Sequence, residues 1–169
     1  MTVRPPLRAE LPTLQAIGVA AGRRFAEVAS VAAVADDPPQ DLAALERWRA
    51  AGRAWVSTDR EGHPVGFVVV DVVDGCAHVE EVSVRPEHGG QGHGAALLRQ
   101  VEAWATKRGL PAVTLTTFAA VPWNGPWYER RGYRVLDEAE WTEGLVRRRQ
   151  EEADHGLDPA LRVVMRKDL

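Results

Sequence analysis

The segment that most limits what this chain can become runs from Val82 to Ala95, V-S-V-R-P-E-H-G-G-Q-G-H-G-A. A β-branched run enters it and Pro86 ends that run. Gly89, Gly90, Gly92 and Gly94 follow, and then the amphipathic stretch A-A-L-L-R-Q-V-E-A-W-A. Strand, glycine loop and helix in that order aim several backbone N–H groups at an anion seated on the helix N-terminus. Glycine serves there because a side chain would block close approach and because a tight loop calls for positive φ. The segment is therefore expected to hold a phosphate or pyrophosphate.

The flanking sequence frames that loop as part of one α/β unit. Thr2–Arg4 reads as a short first strand ended by Pro5-Pro6. A helix is expected from about Glu10, with Pro12 in its first turn and Leu11, Leu14, Ile17, Ala21 and Phe25 on one face. Asp36–Pro39 reads as a loop, and Asp41 as the cap of a second helix carrying Leu42, Leu45 and Trp48. Ala54–Thr58, Val65–Asp71 and Cys76–Val84 read as strands, the last two joined by the tight-turn pair Asp74-Gly75. The helix after the loop is expected over 92–108, with Leu97, Leu98, Val101, Trp104 and Ala105 on one face and Gly109 and Pro111 as its stop. Ala112–Phe118 is a strand, so 76–118 forms a β-loop-α-β unit with parallel strands. A short helix is expected between Pro126 and Gly132, and strands at Tyr133–Leu136 and Leu161–Met165. The charged stretch Thr142–His155, with Arg147, Arg148, Arg149, Glu151 and Glu152, reads as a solvated helix or ordered loop.

Composition narrows the function. The 169 residues suit one domain, and 45% apolar with 27% charged residues is ordinary for a globular protein with a sizeable core. A formal net charge of −3 argues against broad nucleic-acid binding. The single cysteine, Cys76, excludes an intrachain disulfide and reads as a strand thiol. No apolar run reaches bilayer length and the N-terminus lacks an apolar leader, so no membrane partner is expected and a cytoplasmic, reducing location is the default.

Two motifs together, V-S-V-R-P-E-H-G-G-Q-G-H-G-A-A-L-L (82–98) and N-G-P-W-Y-E-R-R-G-Y (124–133), resemble the GNAT superfamily of acetyl-coenzyme A-dependent N-acetyltransferases. The order of elements matches over nearly the whole chain. The resemblance implies a mixed α/β (α+β) domain spanning 1–169. Its central sheet would be mostly antiparallel, flanked by helices, and splayed between the fourth and fifth strands. It implies acetyl-coenzyme A as co-substrate, held by Gly89, Gly90, Gln91, Gly92, His93, Gly94 and Ala95, with the pantetheine arm along Val82, Ser83 and Val84 and a contact from Asn124. It implies that Tyr128 returns a proton to the coenzyme A sulfur. Gly92 and Gly94 keep the family's glycine positions. Gly89 stands where the family has Arg or Gln, which leaves backbone donors alone. Asn124 lies closer to Tyr128 than the family spacing. A homodimer is common in the family.

Acetyl transfer to an amine also needs a base, because an alkylamine is mostly protonated at neutral pH. Glu81 and then Glu80 are the candidates; alternation puts them on opposite faces of the strand, so one of them faces the cleft. Both can equally be half-exposed strand residues, and His78 is a third option. Tyr128 can instead be a core aromatic. His88 and His93 flank the glycines; without a third ligand repeating beside them they read as exposed loop residues rather than a metal site, and no metal is expected. The acceptor, a small-molecule or peptide amine, is expected near Leu11–Phe25, Leu42–Trp48 and Ala119–Trp123, with Trp123 either lining that pocket or packing in the core.

Two other functions stay open. A GNAT-like domain that binds an acyl-coenzyme A without catalysis fits the Gly89 departure. A dinucleotide-dependent oxidoreductase fits G-x-G-x-x-A at 90–95, although the following strand ends in Thr116-Thr117-Phe118 rather than in the acidic residue such a site uses for ribose. A phosphate-loop NTPase is excluded, since no Gly-Lys-Ser/Thr follows the glycines.

Overall fold

β-branched runs set the strands and 3.6-residue periodicity sets the helices. The computed structural model describes residues Met1–Leu169. Strands are β1 (Val3–Arg4), β2 (Ala54–Thr58), β3 (Pro64–Val73), β4 (Cys76–Val84), β5 (Ala112–Phe118), β6 (Arg134–Val135) and β7 (Arg162–Asp168). Helices are α1 (Leu11–Gly22), α2 (Leu42–Ala50), α3 (His93–Lys107), α4 (Gly125–Glu129) and α5 (Glu143–Asp154). The strands form one seven-stranded sheet in the order β1-β2-β3-β4-β5-β7-β6. β1/β2, β2/β3, β5/β7 and β6/β7 are antiparallel, and β4/β5 is parallel. The β4/β5 ladder is short, Ala77↔Val113 to Val79↔Leu115, whereas β5/β7 pairs along the whole of β5. This is the mixed, mostly antiparallel sheet expected, with a parallel pair between the fourth and fifth strands. No helix is long and apolar enough to cross a membrane.

The chain packs as two compact units, Met1–Asp71 with Glu80–Val101, and Val72–Val79 with Glu102–Leu169. In the first, Leu14, Ile17 and Leu45 from the helices bury fully against Val56, Phe67 and Val69 of β2 and β3. Each such side chain is worth about 1.5–3 kcal/mol on burial. Gly66 in β3 is needed for close packing: a Cβ there would lie 3.0 Å from the Ser83 carbonyl oxygen and from Val84 Cγ2.

Two local expectations fail in this unit. α1 stops at Gly22, and Phe25 sits in a 3-10 turn, Arg23–Glu27, instead of extending the helix. The Ala-rich stretch then runs as 3-10 turns over Ala29–Asp36. Its valines, 31 and 34, are three residues apart, the repeat of a 3-10 helix, and Val31 is the buried one. Asp41 does precede α2, but it caps with its carbonyl, which accepts from Leu45 N, and not with its side chain.

In the second unit Leu136, Leu145 and Val164 form a small core with Trp141 beside it. α5 is capped from outside its own sequence. The Asp74 carboxylate, in the β3–β4 turn, accepts from Gly144 N at 2.7 Å and from the Thr142 side chain. Asp74 and Gly75 both have positive φ, 47° and 78°. A Cβ on Gly144 would meet Val73 Cγ1 at 2.5 Å, so only glycine admits this approach. The expectation that α5 presents its charges to solvent holds for Arg147 and Glu151 and fails for Arg149 and Glu152. Arg149 is buried and Glu152 largely so, because Glu152 is the shared acceptor of Arg149, Arg162 and Thr116.

Candidate active site

The glycine loop is built as its sequence requires. A 3-10 turn, Pro86–His88, follows β4, and Gly89 N closes it on Pro86 O at 2.9 Å. Gly90 and Gly92 then take φ of 73° and 89°, each with open space where a Cβ would stand. Ala96 N bonds Gly92 O at 3.0 Å, so α3 starts there. The N–H groups of His93, Gly94 and Ala95 are thus first-turn donors without an intrahelical acceptor. With the positive end of a four-turn helix behind them they have the chemistry to accept an anion. Gln91 and Gly89 sit on the exposed rim, and the Gln91 amide donates to Glu87 O. Gly89 has ordinary φ of −61°, so its glycine is not required by backbone conformation.

A groove of about 680 Å³ flanks the loop, lined by Arg23, Arg24, Glu27, Glu87, Gly89 and Gly90. Sequence reasoning passed over the two arginines. Their signal was a basic pair directly after the glycine that ends α1.

His93 overturns an expectation. It is buried, not an exposed loop residue, and its Nδ1 stands 2.7 Å from Ser57 Oγ on β2. His88, half-buried, meets it edge-on with ring centroids 5.7 Å apart. Burial, and then the nearby His88 and N-terminal ammonium, hold the His93 imidazole below its ordinary value. Its side chain therefore supports the loop from beneath, and what it can offer an anion is its main-chain N–H. The signal was periodic: 93 is one turn before Leu97 on the row that continues through Val101 and Ala105.

Of the carboxylates, Glu81 is the enclosed one. Its Oε1 accepts from Ser83 Oγ at 2.7 Å and lies against Gly18 of α1, beside which the Phe67 ring also packs. Burial pushes its carboxyl above the usual carboxylate range, against hydrogen bonds from Ser83 and Gln40. Gln40 is in turn placed by Gln15, whose amide donates to Gln40 O at 2.8 Å. Neither Gln40 nor Gly18 was singled out from the sequence; a glycine in mid-helix was the signal for the second. Glu80 is half-buried, as are Val82, Ser83 and Val84 at the end of β4. His78 is not a candidate base. It is buried between paired strands, with Nδ1 2.8 Å from Thr114 Oγ1, its register partner.

Tyr128 lies in the second unit, on α4, buried with its ring edge-on to Trp127 at 4.9 Å and near Tyr133 at 5.7 Å. Burial pushes its phenol well above the ordinary tyrosine value, opposed by the charges of Arg131 and Arg162. A phenol so placed stays protonated at neutral pH. Asn124 precedes α4, and its carbonyl accepts from Trp127 N at 2.8 Å and Tyr128 N at 3.0 Å. Gly125 is obligatory, since a Cβ there would lie 2.5 Å from Ala119 O. Trp123 is half-buried.

Residues 23–133 match the family model for acetyltransferase (GNAT) family proteins. The fold is similar to several solved structures. A GNAT-family acetyltransferase from Staphylococcus aureus Mu50 superposes with a TM-score of 0.75 at 13% identity, over 99% of this chain and 98% of that one. A Mycobacterium tuberculosis protein in complex with CoA and NLQ gives 0.72 at 19% identity, over 100% and 99%. The PaiA N-acetyltransferase of Thermoplasma acidophilum, in complex with coenzyme A, gives 0.68 at 14% identity, over 99% and 98%.

Proposed function

Because the chain belongs to the GNAT acetyltransferase family, we propose that it transfers the acetyl group of acetyl-coenzyme A to a primary amine of a small molecule or peptide by direct attack. One observation carries this reading beyond family membership. Gly90 and Gly92 are in the left-handed region with open space beside them, next to the unspent N–H groups at the start of α3. That combination has the chemistry to hold a pyrophosphate by main chain alone. Two of the solved structures of this fold carry coenzyme A, which supports the same carrier here.

In this reading Gly89 to Ala95 hold the phosphates, Val82 to Val84 align the pantetheine arm as an added strand, and Asn124 contacts the carrier. Glu81 takes the amine proton, with Glu80 as the alternative base. Its raised carboxyl is a better proton acceptor than an ordinary carboxylate. The neutral amine attacks the thioester carbon, the nitrogen of the tetrahedral intermediate releases its extra proton to solvent, the intermediate collapses to the amide, and the C–S bond breaks. Tyr128 then gives its proton to the departing sulfur. An acceptor screen with acetyl-coenzyme A, read by thiol release and product mass, tests the proposal. An amine that gives both a thiol and an acetylated product is the expected result. A rise in melting temperature with coenzyme A but no thiol release from any amine would instead mark a non-catalytic binding domain.

A further inference from the structure

A buried tyrosine makes a poor acid. Giving up its proton leaves a phenolate, and an apolar enclosure disfavours that charge. If Tyr128 is the proton donor, something in its own unit must offset the enclosure.

A group of side chains at the junction of β5 and β7 has the right charge. Arg162 Nε and Nη2 grip the two oxygens of Glu152 at 3.0 and 2.9 Å. Arg149 Nη1 donates to the same carboxylate at 2.8 Å. Thr116 Oγ1 accepts from Arg162 Nη2 at 3.0 Å and donates to Glu152 Oε1. The side chains of Arg149, Arg162 and Glu152 are only 8%, 10% and 18% exposed. Burial opposes ionisation of Glu152, but the hydrogen bonds and charge of Arg162, with Thr116 and Arg149, hold its carboxyl below the ordinary value. It is therefore an anion shared by two cations, and one positive charge is left over.

The fold directs that excess toward α4. Arg162 is the register partner of Phe118, and its guanidinium carbon lies 4.7 Å from the centre of the Phe118 ring. The next residue, Ala119, bonds Leu161 O at 2.9 Å, and Gly125 packs directly on the Ala119 carbonyl. α4 begins at that contact, with Tyr128 one turn along it. The other groups around Tyr128 are Arg131, which stacks 3.7 Å over Trp127, and Tyr133, whose hydroxyl donates to the Glu102 carboxylate that Lys167 also bonds.

We propose that Arg162, clamped by Glu152, is a positioning residue for Tyr128, supplying the positive charge that lets an enclosed phenol surrender its proton. The inference rests on the reading of Tyr128 as the acid. In the step itself the O–H bond of Tyr128 breaks, an S–H bond forms on coenzyme A, and the phenolate charge is matched by Arg131 together with the surplus charge of the Arg149–Glu152–Arg162 group. Solvent returns the proton before the next turnover.

The chain has two tyrosines, Tyr128 and Tyr133, so fluorotyrosine incorporation gives two ¹⁹F signals and Tyr133→Phe assigns them. A fluorinated phenol is intrinsically more acidic, which brings its titration into range. Arg162→Gln is expected to raise the Tyr128 midpoint and Glu152→Gln to lower it, each by roughly half to one pH unit. Arg162→Lys should fall between wild type and Arg162→Gln. Unchanged midpoints, or shifts of the same sign in the two neutralising variants, overturn the proposal. If Arg162→Gln does not fold, Arg162→Lys and Glu152→Gln decide it. The acid role is scored separately by turnover of Tyr128→Phe: midpoints that move while Tyr128→Phe keeps full activity leave the electrostatic link standing and remove its catalytic meaning.

Discussion

Oε1 of Glu81 lies 3.0 Å from the point that a Cβ on Gly18 would occupy. Helix propensity alone favours alanine over glycine by ~1 kcal/mol in a helix interior. At Gly18 that gain meets a carboxylate that has to move aside. Gly18→Ala is expected to leave the melting temperature near wild type and to lower thiol release by roughly tenfold, because the displaced group is the proposed base. A more stable variant with full turnover would show that the position of Glu81 is not critical.

Glu81→Gln separates stability from chemistry. The native carboxyl titrates above the ordinary value of 4.5, so between that value and its own midpoint the folded state holds a proton that the unfolded state has lost. Stability attributable to this group is full below pH 4.5 and declines as pH rises through the folded midpoint. Glu81→Gln should therefore unfold at a higher temperature than wild type at pH 7.5, match it near pH 4, and lose most thiol release. Thermal scans at the two pH values check the first part.

Tyr128→Phe keeps the ring that packs against Trp127 and Tyr133 and removes the hydroxyl alone. Turnover should fall by roughly ten- to a thousandfold, the range for one positioned acid. Coenzyme A affinity by calorimetry should stay within about twofold, since the phosphates are assigned to main-chain donors.

Gly92→Val attacks those donors. Gly92 has φ of 89°, which a β-branched residue adopts only under strain, and the valine would fill space open to the carrier. Coenzyme A should no longer raise the melting temperature of this variant. Gln91→Ala, on the exposed rim of the same loop, is the control and should respond as wild type does.

His93 makes the loop sensitive to acid. Its imidazole is held below the ordinary value of 6.5, so on acidification the unfolded chain takes up a proton before the folded one does. The stability this group confers is present above pH 6.5 and fades as pH falls toward the folded midpoint. Wild type should lose more melting temperature than His93→Gln between pH 7.5 and 5.5. Glutamine retains a polar partner for Ser57, so the comparison isolates the titration.

Much of this arrangement is written in local sequence. The β2, β4 and β5 spans coincide with runs of β-branched residues, and Gly90 and Gly92 adopt the backbone that a glycine loop calls for. α3 follows its apolar row, and extending that row back by one turn reaches His93. What local pattern could not reveal depends on partners far along the chain. Arg149 sits in a run of three arginines, yet a carboxylate three residues on and a strand that starts at Arg162 draw it inside. Gln40 reads as loop until the fold sets its amide on Glu81. Gly125 and Gly18 have no periodicity; each is fixed by one close neighbour, Ala119 O and Glu81 Oε1. The sheet followed from repetition, while the polar contacts around the site followed from topology.

The bond from Gly144 to Asp74 spans 70 residues of chain. α5 therefore has its N-terminus secured by a hairpin that leaves the ribosome long before it. Bringing such distant segments together carries a loop-closure entropy that a self-capped helix avoids. The hairpin turn thus acts as a template for α5: one residue inserted beside Asp74 would swing its carboxylate away, and the most charged helix of the protein would begin to fray from the end nearest β6.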